Sequence, residues 1–244
     1  MTAGEGASLG SAELADAKID NSGYQCYNPC VTNLEVIKLN FEITGRFVHE
    51  PNPLVAENMI PTQQAVVKEG AALGACFDGD ADRCMLTDEK GAIIGCDHLT
   101  ALLAGHFVAQ SGSNPAVRHQ PTIVYDLRSS KVVEETIRSL DAKPVRSRVG
   151  HVFLKAALRE NDAVFGGELS GHFYFRDNHF ADSGAITLAS MLTVMSNRGK
   201  AVSDLVRPYR KYPQSGERNY RVEDKDAVIR TLRGDFGAAR RWTT

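Results

Sequence analysis

From residue 122 onward the chain alternates two kinds of segment, and this alternation limits its fold more than any other feature. "TIVYDL" is a short apolar run rich in β-branched residues, and "SSKVVEETIRSL" has helical spacing. "KPVRSR" is extended again and "HVFLKAALRE" helical. "AVFGGE" and "GHFYFRD" read as strands, and "DSGAITLASMLTVMSNRG" as a long helix. Strands alternating with helices of about 10 to 15 residues predict α/β architecture. Upstream, "LEVIKLNF" (34–41) predicts a strand and "HEPNPL" a loop set by its prolines. "PTQQAVVKEG" predicts a short helix with Pro61 near its start and Gly70 near its end. "ALGACF" predicts a buried strand, and "CMLTDEKGAIIG" a hairpin turning at Lys90-Gly91. "DHLTALLAGHFVAQSG" predicts an amphipathic helix with Leu99, Leu102, Leu103 and Phe107 on its apolar face. Residues 207–217, "RPYRKYPQSGE", read as a linker. The small, polar, aperiodic residues at the start read as a disordered or irregular leader.

Composition removes several functions. A net charge of −2 over 244 residues, with no basic cluster interleaved with aromatics, argues against nucleic acid and anionic membrane as partners. No stretch reaches the roughly 18 to 20 apolar residues of a membrane span. The first twenty residues carry neither the basic nor the apolar region of a secretory signal. Five cysteines, an odd number with three inside strand-like runs, suit reduced thiols and a cytoplasmic location. Cys26 and Cys30 are spaced C-x3-C without a second ligand pair nearby, which argues against structural zinc.

"FDGDADR" places Asp78, Asp80 and Asp82 at alternate positions directly after an apolar strand, with Arg83 beside them. Ligands in α/β sheets gather at the carboxyl ends of strands. Gly79 and Ala81 allow a tight coil, so the three carboxylates can converge on a hard cation. Three oxygen ligands leave room for phosphate or water, as magnesium requires in phosphoryl transfer. Arg83 could orient a carboxylate or grip a phosphate with its fork. A solvated acidic turn is the plainer alternative. A calcium loop of the EF-hand type also matches positions 1, 3, 5 and 12, but Arg83 stands where its glycine is required.

"GGELSGH" (166–172) follows another apolar strand. If it is extended, alternation puts Glu168, Ser170 and His172 on one side. Acceptor, hydroxyl and imidazole together suit the vicinal hydroxyls of a sugar. A glycine-rich turn with incidental polar groups is the alternative. The segment does not match the G-x-S-x-G elbow of a serine hydrolase. His151 begins a predicted helix, where the helix dipole favours the neutral ring and a general base, although a packing histidine fits as well. Arg128 lies just past a strand end, in place for a phosphate or sugar contact or for a surface salt bridge.

"FDGDADR", "VGHVFLK" and "GGELSGHFYF", in this order, resemble the α-D-phosphohexomutase superfamily, and within it the bacterial phosphomannomutase/phosphoglucomutase group. The similarity runs from about residue 34 to about residue 229. It implies three-layer mixed-sheet α/β domains followed by an α+β C-terminal domain. The segments would be a leader (1–30), part of the second domain (31–96), the third (97–206) and a truncated start of the fourth (207–244). The implied activity moves phosphate between the 1- and 6-positions of mannose or glucose phosphate, through a phosphoserine and a hexose 1,6-bisphosphate. Asp78, Asp80 and Asp82 would hold Mg2+, and Arg83 would sit by the phosphoserine. Glu168 and Ser170 would read the sugar hydroxyls with His172 beside them. His151 would serve proton transfer and Arg128 substrate binding. Leu169 matches the mannose/glucose branch, where glucosamine enzymes carry Gln.

The family's nucleophile lies in a "T-A-S-H-N-P"-like segment that these residues do not contain. Ser8, Ser11 and Ser22 have the wrong surroundings, and "KIDNSGYQCYNPCVTN" does not read as the usual first strand of the second domain. The expectation is therefore a fragment that is a poor mutase alone. The alternatives are a non-catalytic metal or sugar-phosphate binder, or one half of a split enzyme whose missing domain is a separate chain.

Overall fold

A computed structural model describes residues 34–42, 44–112, 120–214 and 220–236. Its centre is a five-stranded mixed sheet in the order β4-β3-β5-β6-β7. These strands are β3 (Thr122–Asp126), β4 (Lys143–Ser147), β5 (Phe165–Gly167), β6 (Phe173–Phe175) and β7 (Ala181–Asp182). Strands β4, β3 and β5 run parallel, while β6 and β7 continue the sheet antiparallel. All five residues of β3 are buried. A parallel strand covered on both faces has no solvent side, which is why Ile123, Val124 and Tyr125 form a continuous apolar run rather than an alternating one.

Alternation along the strands still divides the core. Ile123, Tyr125, Phe173 and Phe175 face α2 (Cys96–Gly112), α3 (Lys131–Ser139) and α5 (Gly184–Arg198). Val124 and Tyr174 face Leu154 and Leu158 of α4 (His151–Glu160) on the opposite side. The result is the expected helix–sheet–helix sandwich. Two adjacent glycines in β5 let both helical layers approach the sheet. A Cβ on Gly166 would lie 3.2 Å from Leu158, and one on Gly167 would lie 2.1 Å from Thr100 Oγ1 of α2.

A smaller unit precedes this sandwich. Helix α1 (Ala56–Glu69) packs on the antiparallel pair β1 (Gly74–Phe77) and β2 (Cys84–Thr87). The predicted turn is present. Asp88 N donates to Ala92 O, Gly91 N donates to Asp88 O, and Gly91 takes φ +74. Met59, Cys84 and Leu86 are fully buried and belong to the same core cluster as α2, α3 and α5.

Four expectations need correction. Residues 34–41 form no strand: Leu34, Val36, Ile37, Leu39 and Phe41 are exposed, and no ladder partner lies beside them among the described residues. A strand without a partner leaves its backbone groups to water. Helix α1 begins at Ala56, so Pro61 lies inside it rather than at its start. Burial of Met59, Thr62 and Val66 along one face holds the first turn despite the donor that proline removes. Helix α2 is buried nearly all round over its first half rather than along one stripe, because it lies between the sheet and three neighbouring helices. Residues 207–214 are not a free linker. Arg207–Tyr209 form a 3-10 turn, Arg210 pairs with buried Asp88, Tyr212 donates to Glu135, and Gln214 donates to buried Asp97 at 2.6 Å.

Strand β7 and the short helix α6 (Val202–Val206) were not foreseen. Helix α7 (Lys225–Phe236) has no buried residue. The leader 1–30, including Cys26 and Cys30, and residues 215–219 and 237–244 lie outside the described residues. No helix among the described residues is long and apolar enough to cross a membrane.

Candidate functional site

The acidic loop joins the end of β1 to the start of β2. Asp78 folds it. Its Oδ1 accepts from Arg83 N at 3.1 Å and its Oδ2 from Arg83 Nε at 2.6 Å. Ala81 takes φ +59 at the bend, a left-handed conformation uncommon for a residue other than glycine. One oxygen each of Asp78, Asp80 and Asp82 falls within 4.8 Å of the others. Burial tends to raise the Asp78 carboxyl, but the hydrogen bonds and charge of Arg83 outweigh it and hold the pKa below the usual value. Asp82 goes the other way. Burial, together with the charges of Asp78 and Asp80, raises it against the pull of His172. That repulsion is what a cation between the carboxylates would relieve. An all-oxygen donor set with remaining positions for water or phosphate fits magnesium.

The second loop is a tight turn rather than an extended segment. Glu168 N donates to His172 O at 2.9 Å and Gly171 N to Glu168 O at 3.1 Å, with Gly171 at φ +90. The turn, not strand alternation, places its side chains. Glu168 is buried. Its Oε2 accepts from Tyr174 OH at 3.1 Å, and its Oε1 lies 3.5 Å from Arg128 Nη2. Burial, then the charge of Glu168, pushes the Tyr174 hydroxyl far up, so it remains a donor. Ser170 Oγ is buried with no hydrogen-bond partner among the described residues. A buried orphan hydroxyl is costly, and a ligand hydroxyl or oxygen would satisfy it.

The two loops are joined through their backbones. Arg83 and His172 form an antiparallel bridge, and Cys84 N donates to Gly171 O at 3.1 Å. Gly184, opening α5, donates to Ala81 O at 3.0 Å. A Cβ there would meet Ala81 O at 2.7 Å and Arg83 O at 2.8 Å, so only glycine fits. His172 completes the joint. Its Nδ1 lies 2.8 Å from Asp182 Oδ2 and 3.5 Å from Asp82 Oδ1. Burial opposes the charged ring, yet the bond to Asp182 and the charges of Asp82, Asp182 and Glu168 win and raise its pKa. Lys155 Nζ reaches Asp182 Oδ1 at 2.8 Å. Burial alone would raise the Asp182 carboxyl, but bonds from His172 and Lys155 hold it far below the usual range.

Asp78, Asp80, Asp82, Arg83, Glu168, Ser170 and His172 thus lie on two joined loops, and Arg128 reaches the second. Arg128 is not a surface salt bridge, since its Nη2 meets fully buried Asp126 at 2.9 Å. His151 is the exposed first residue of α4, one turn before Lys155. Sequence reasoning missed Asp126, Tyr174 and Asp182. Asp126 and Asp182 are carboxylates beside strand ends, a signal present in "YDLRSS" and "FADSG". Tyr174 looked like one more apolar residue of a strand.

Known proteins share this arrangement of segments. The phosphoglucomutase/phosphomannomutase alpha/beta/alpha domain II model matches residues 26–91, and the domain III model matches residues 96–212. A phosphomannomutase of Methanocaldococcus jannaschii is 38% identical over 193 residues, 79% of this chain and 41% of that protein. One from Escherichia coli K12 is 36% identical over 205 residues, 83% of this chain and 43% of that protein. The chain thus spans about two fifths of the length of these relatives. A crystal structure of a phosphoglucomutase/phosphomannomutase family protein from Burkholderia thailandensis superposes with a TM-score of 0.58 at 28% identity, covering 68% of this chain and 34% of that one.

Proposed function

The chain belongs to the phosphoglucomutase/phosphomannomutase family, and from that premise we propose that it supplies the metal-binding and sugar-reading parts of a hexose phosphate mutase. The observation that carries this reading is the backbone joint between the acidic loop and the 168–172 turn. It holds the carboxylate cluster and the 168–172 turn at a fixed separation, which supports the reading because transfer of phosphate between two positions of one sugar requires it. The segments 31–96, 97–206 and 207–244 are read as parts of the second, third and fourth domains.

Asp78, Asp80 and Asp82 would hold Mg2+, which when bound offsets negative charge on a phosphoryl group. The chain's own groups do the rest. Arg83, anchored by Asp78, presents its guanidinium beside the carboxylates, where it can bind a phosphate. Glu168 and Ser170 accept from and donate to sugar hydroxyls, with Arg128 fixed next to Glu168. His172, tied to Asp182 through Nδ1, lies between the two loops beside Glu168 and Ser170, where it would add to substrate binding. His151 is the candidate for proton transfer. Hexose 1,6-bisphosphate fits as the activator and mannose or glucose 1- and 6-phosphates as the substrates. The phosphoserine carrier lies outside these 244 residues, in further sequence of the same polypeptide or in a separate chain.

A coupled assay tests this. Mannose 1-phosphate, Mg2+ and glucose 1,6-bisphosphate are supplied to the 244-residue chain, and mannose 6-phosphate is measured. No turnover is expected from the chain alone, and turnover is expected once a segment carrying the serine loop is added or fused. Full activity of the isolated chain would overturn the assignment of the carrier. Failure to bind hexose 6-phosphate in calorimetry would overturn the sugar-reading role.

A further inference from the structure

We propose that Asp126 is the positioning residue of the sugar-reading half-site, a role that rests on the function proposed above. Asp126 ends β3, at the centre of the sheet, and is fully buried. A buried carboxylate is costly unless its lone pairs are occupied. Here they are, by groups from two distant segments. Oδ1 accepts from Arg128 N at 2.7 Å and Ser129 N at 3.1 Å. Oδ2 accepts from Arg128 Nη2 at 2.9 Å and Nε at 3.3 Å, and also from Leu169 N at 2.8 Å.

The Oδ1 bonds close a local turn, as aspartate commonly does. Those at Oδ2 do more. One oxygen holds both the guanidinium of Arg128 and the backbone of the 168–172 turn, which is 43 residues away in sequence. Leu169 lies between Glu168 and Ser170, so fixing its amide fixes the spacing of the two side chains that read the sugar. Arg128 is set between two buried carboxylates, Asp126 and Glu168, and Glu168 is closed from the far side by Tyr174. The unit Asp126–Arg128–Glu168–Tyr174 is therefore held together by the protein's own groups, with Asp126 bonded to backbone amides of both its own 126–129 turn and the 168–172 turn.

The test uses the full 244-residue chain and the variant Asp126→Asn, which keeps the size but turns an amide NH2 toward one set of donors. Two readouts are taken. Hydrogen exchange at the Leu169 amide, without ligand, is expected to speed up by at least about tenfold, while amides of α4 and α5 keep their protection. Calorimetric affinity for mannose 6-phosphate is expected to fall by at least about tenfold, with Mg2+ affinity within twofold of the unmodified chain. A purely structural role would lower the melting temperature and leave affinity per folded molecule unchanged, and that result overturns the proposal.

If Asp126→Asn does not fold, Arg128→Lys tests the same grip, because lysine keeps the charge but cannot make the forked contact. Faster hydrogen exchange at the Leu169 amide without ligand is expected, and unchanged exchange overturns the proposal. Failure of the unmodified chain to bind mannose 6-phosphate defeats the proposed function, whereas the Leu169 exchange rate needs no sugar and judges the positioning role by itself.

Discussion

Single charged side chains at the joint carry opposite pH dependences. Asp80 is the exposed member of the carboxylate trio and takes no part in folding the loop around Arg83. Asp80→Asn should therefore lower Mg2+ affinity by at least about tenfold, seen by calorimetry, while the melting temperature without metal stays within a degree or two. His172 and Asp182 set the stability of the metal-free chain. The raised pKa of His172 means that its contribution is complete below the ordinary histidine value of about 6.5 and is lost as pH rises through the folded-state value. The lowered pKa of Asp182 works in reverse: its contribution is present above about 4 and is lost as pH falls below that. In chelator, the melting temperature should peak between these limits and decline toward pH 8. His172→Gln should flatten the alkaline decline, and an unaltered decline would show that another group is responsible.

Among the elements, β5 shows how close packing governs the site. Gly167 sits against Thr100 of α2, whose hydroxyl is already bonded to Cys96 O. Gly167→Ala should cost about 1–3 kcal/mol through overpacking and lower the melting temperature by several degrees. Because Gly167 immediately precedes Glu168, mannose 6-phosphate affinity should fall with it. Between β3 and α5 the helices and apolar strands were legible from their alternation, and "HVFLKAALRE" matches α4 end to end, whereas β7, two residues long, is too short to show a period. The 34–41 strand failed because apolar composition cannot report whether a partner strand exists. The start of α1 was misplaced because Pro61 was weighed above the buried spacing of Met59, Thr62 and Val66. In the candidate site, the segments with unusual local density of charge or glycine were readable. Asp126, Tyr174 and Asp182 were not, because their role comes from neighbours tens of residues away that only the folded sheet brings near.

For the molecule as a whole, exposure separates a protected body from its margins. Residues 34–48 include Phe47 and Val48, both well exposed, and α7 presents Val228, Ile229, Leu232 and Phe236 to solvent. Among the described residues, limited proteolysis should cut in these two regions before it cuts within 50–112 or 120–214, as mass spectrometry of the fragments would show. Early cleavage between 207 and 214 would mean that the bonds of Arg210, Tyr212 and Gln214 do not hold in solution.

Gly184, packed against the carbonyls of Ala81 and Arg83, has a consequence for exchanging parts between related proteins. A chimera that took residues up to 95 from one family member and the remainder from another would splice a carboxylate loop onto a foreign α5. It would work only if both donors kept the same glycine and the same backbone path through 81–84 and 171–184. The two loops therefore behave as one cassette, and a change on one side has to suit the backbone of the other.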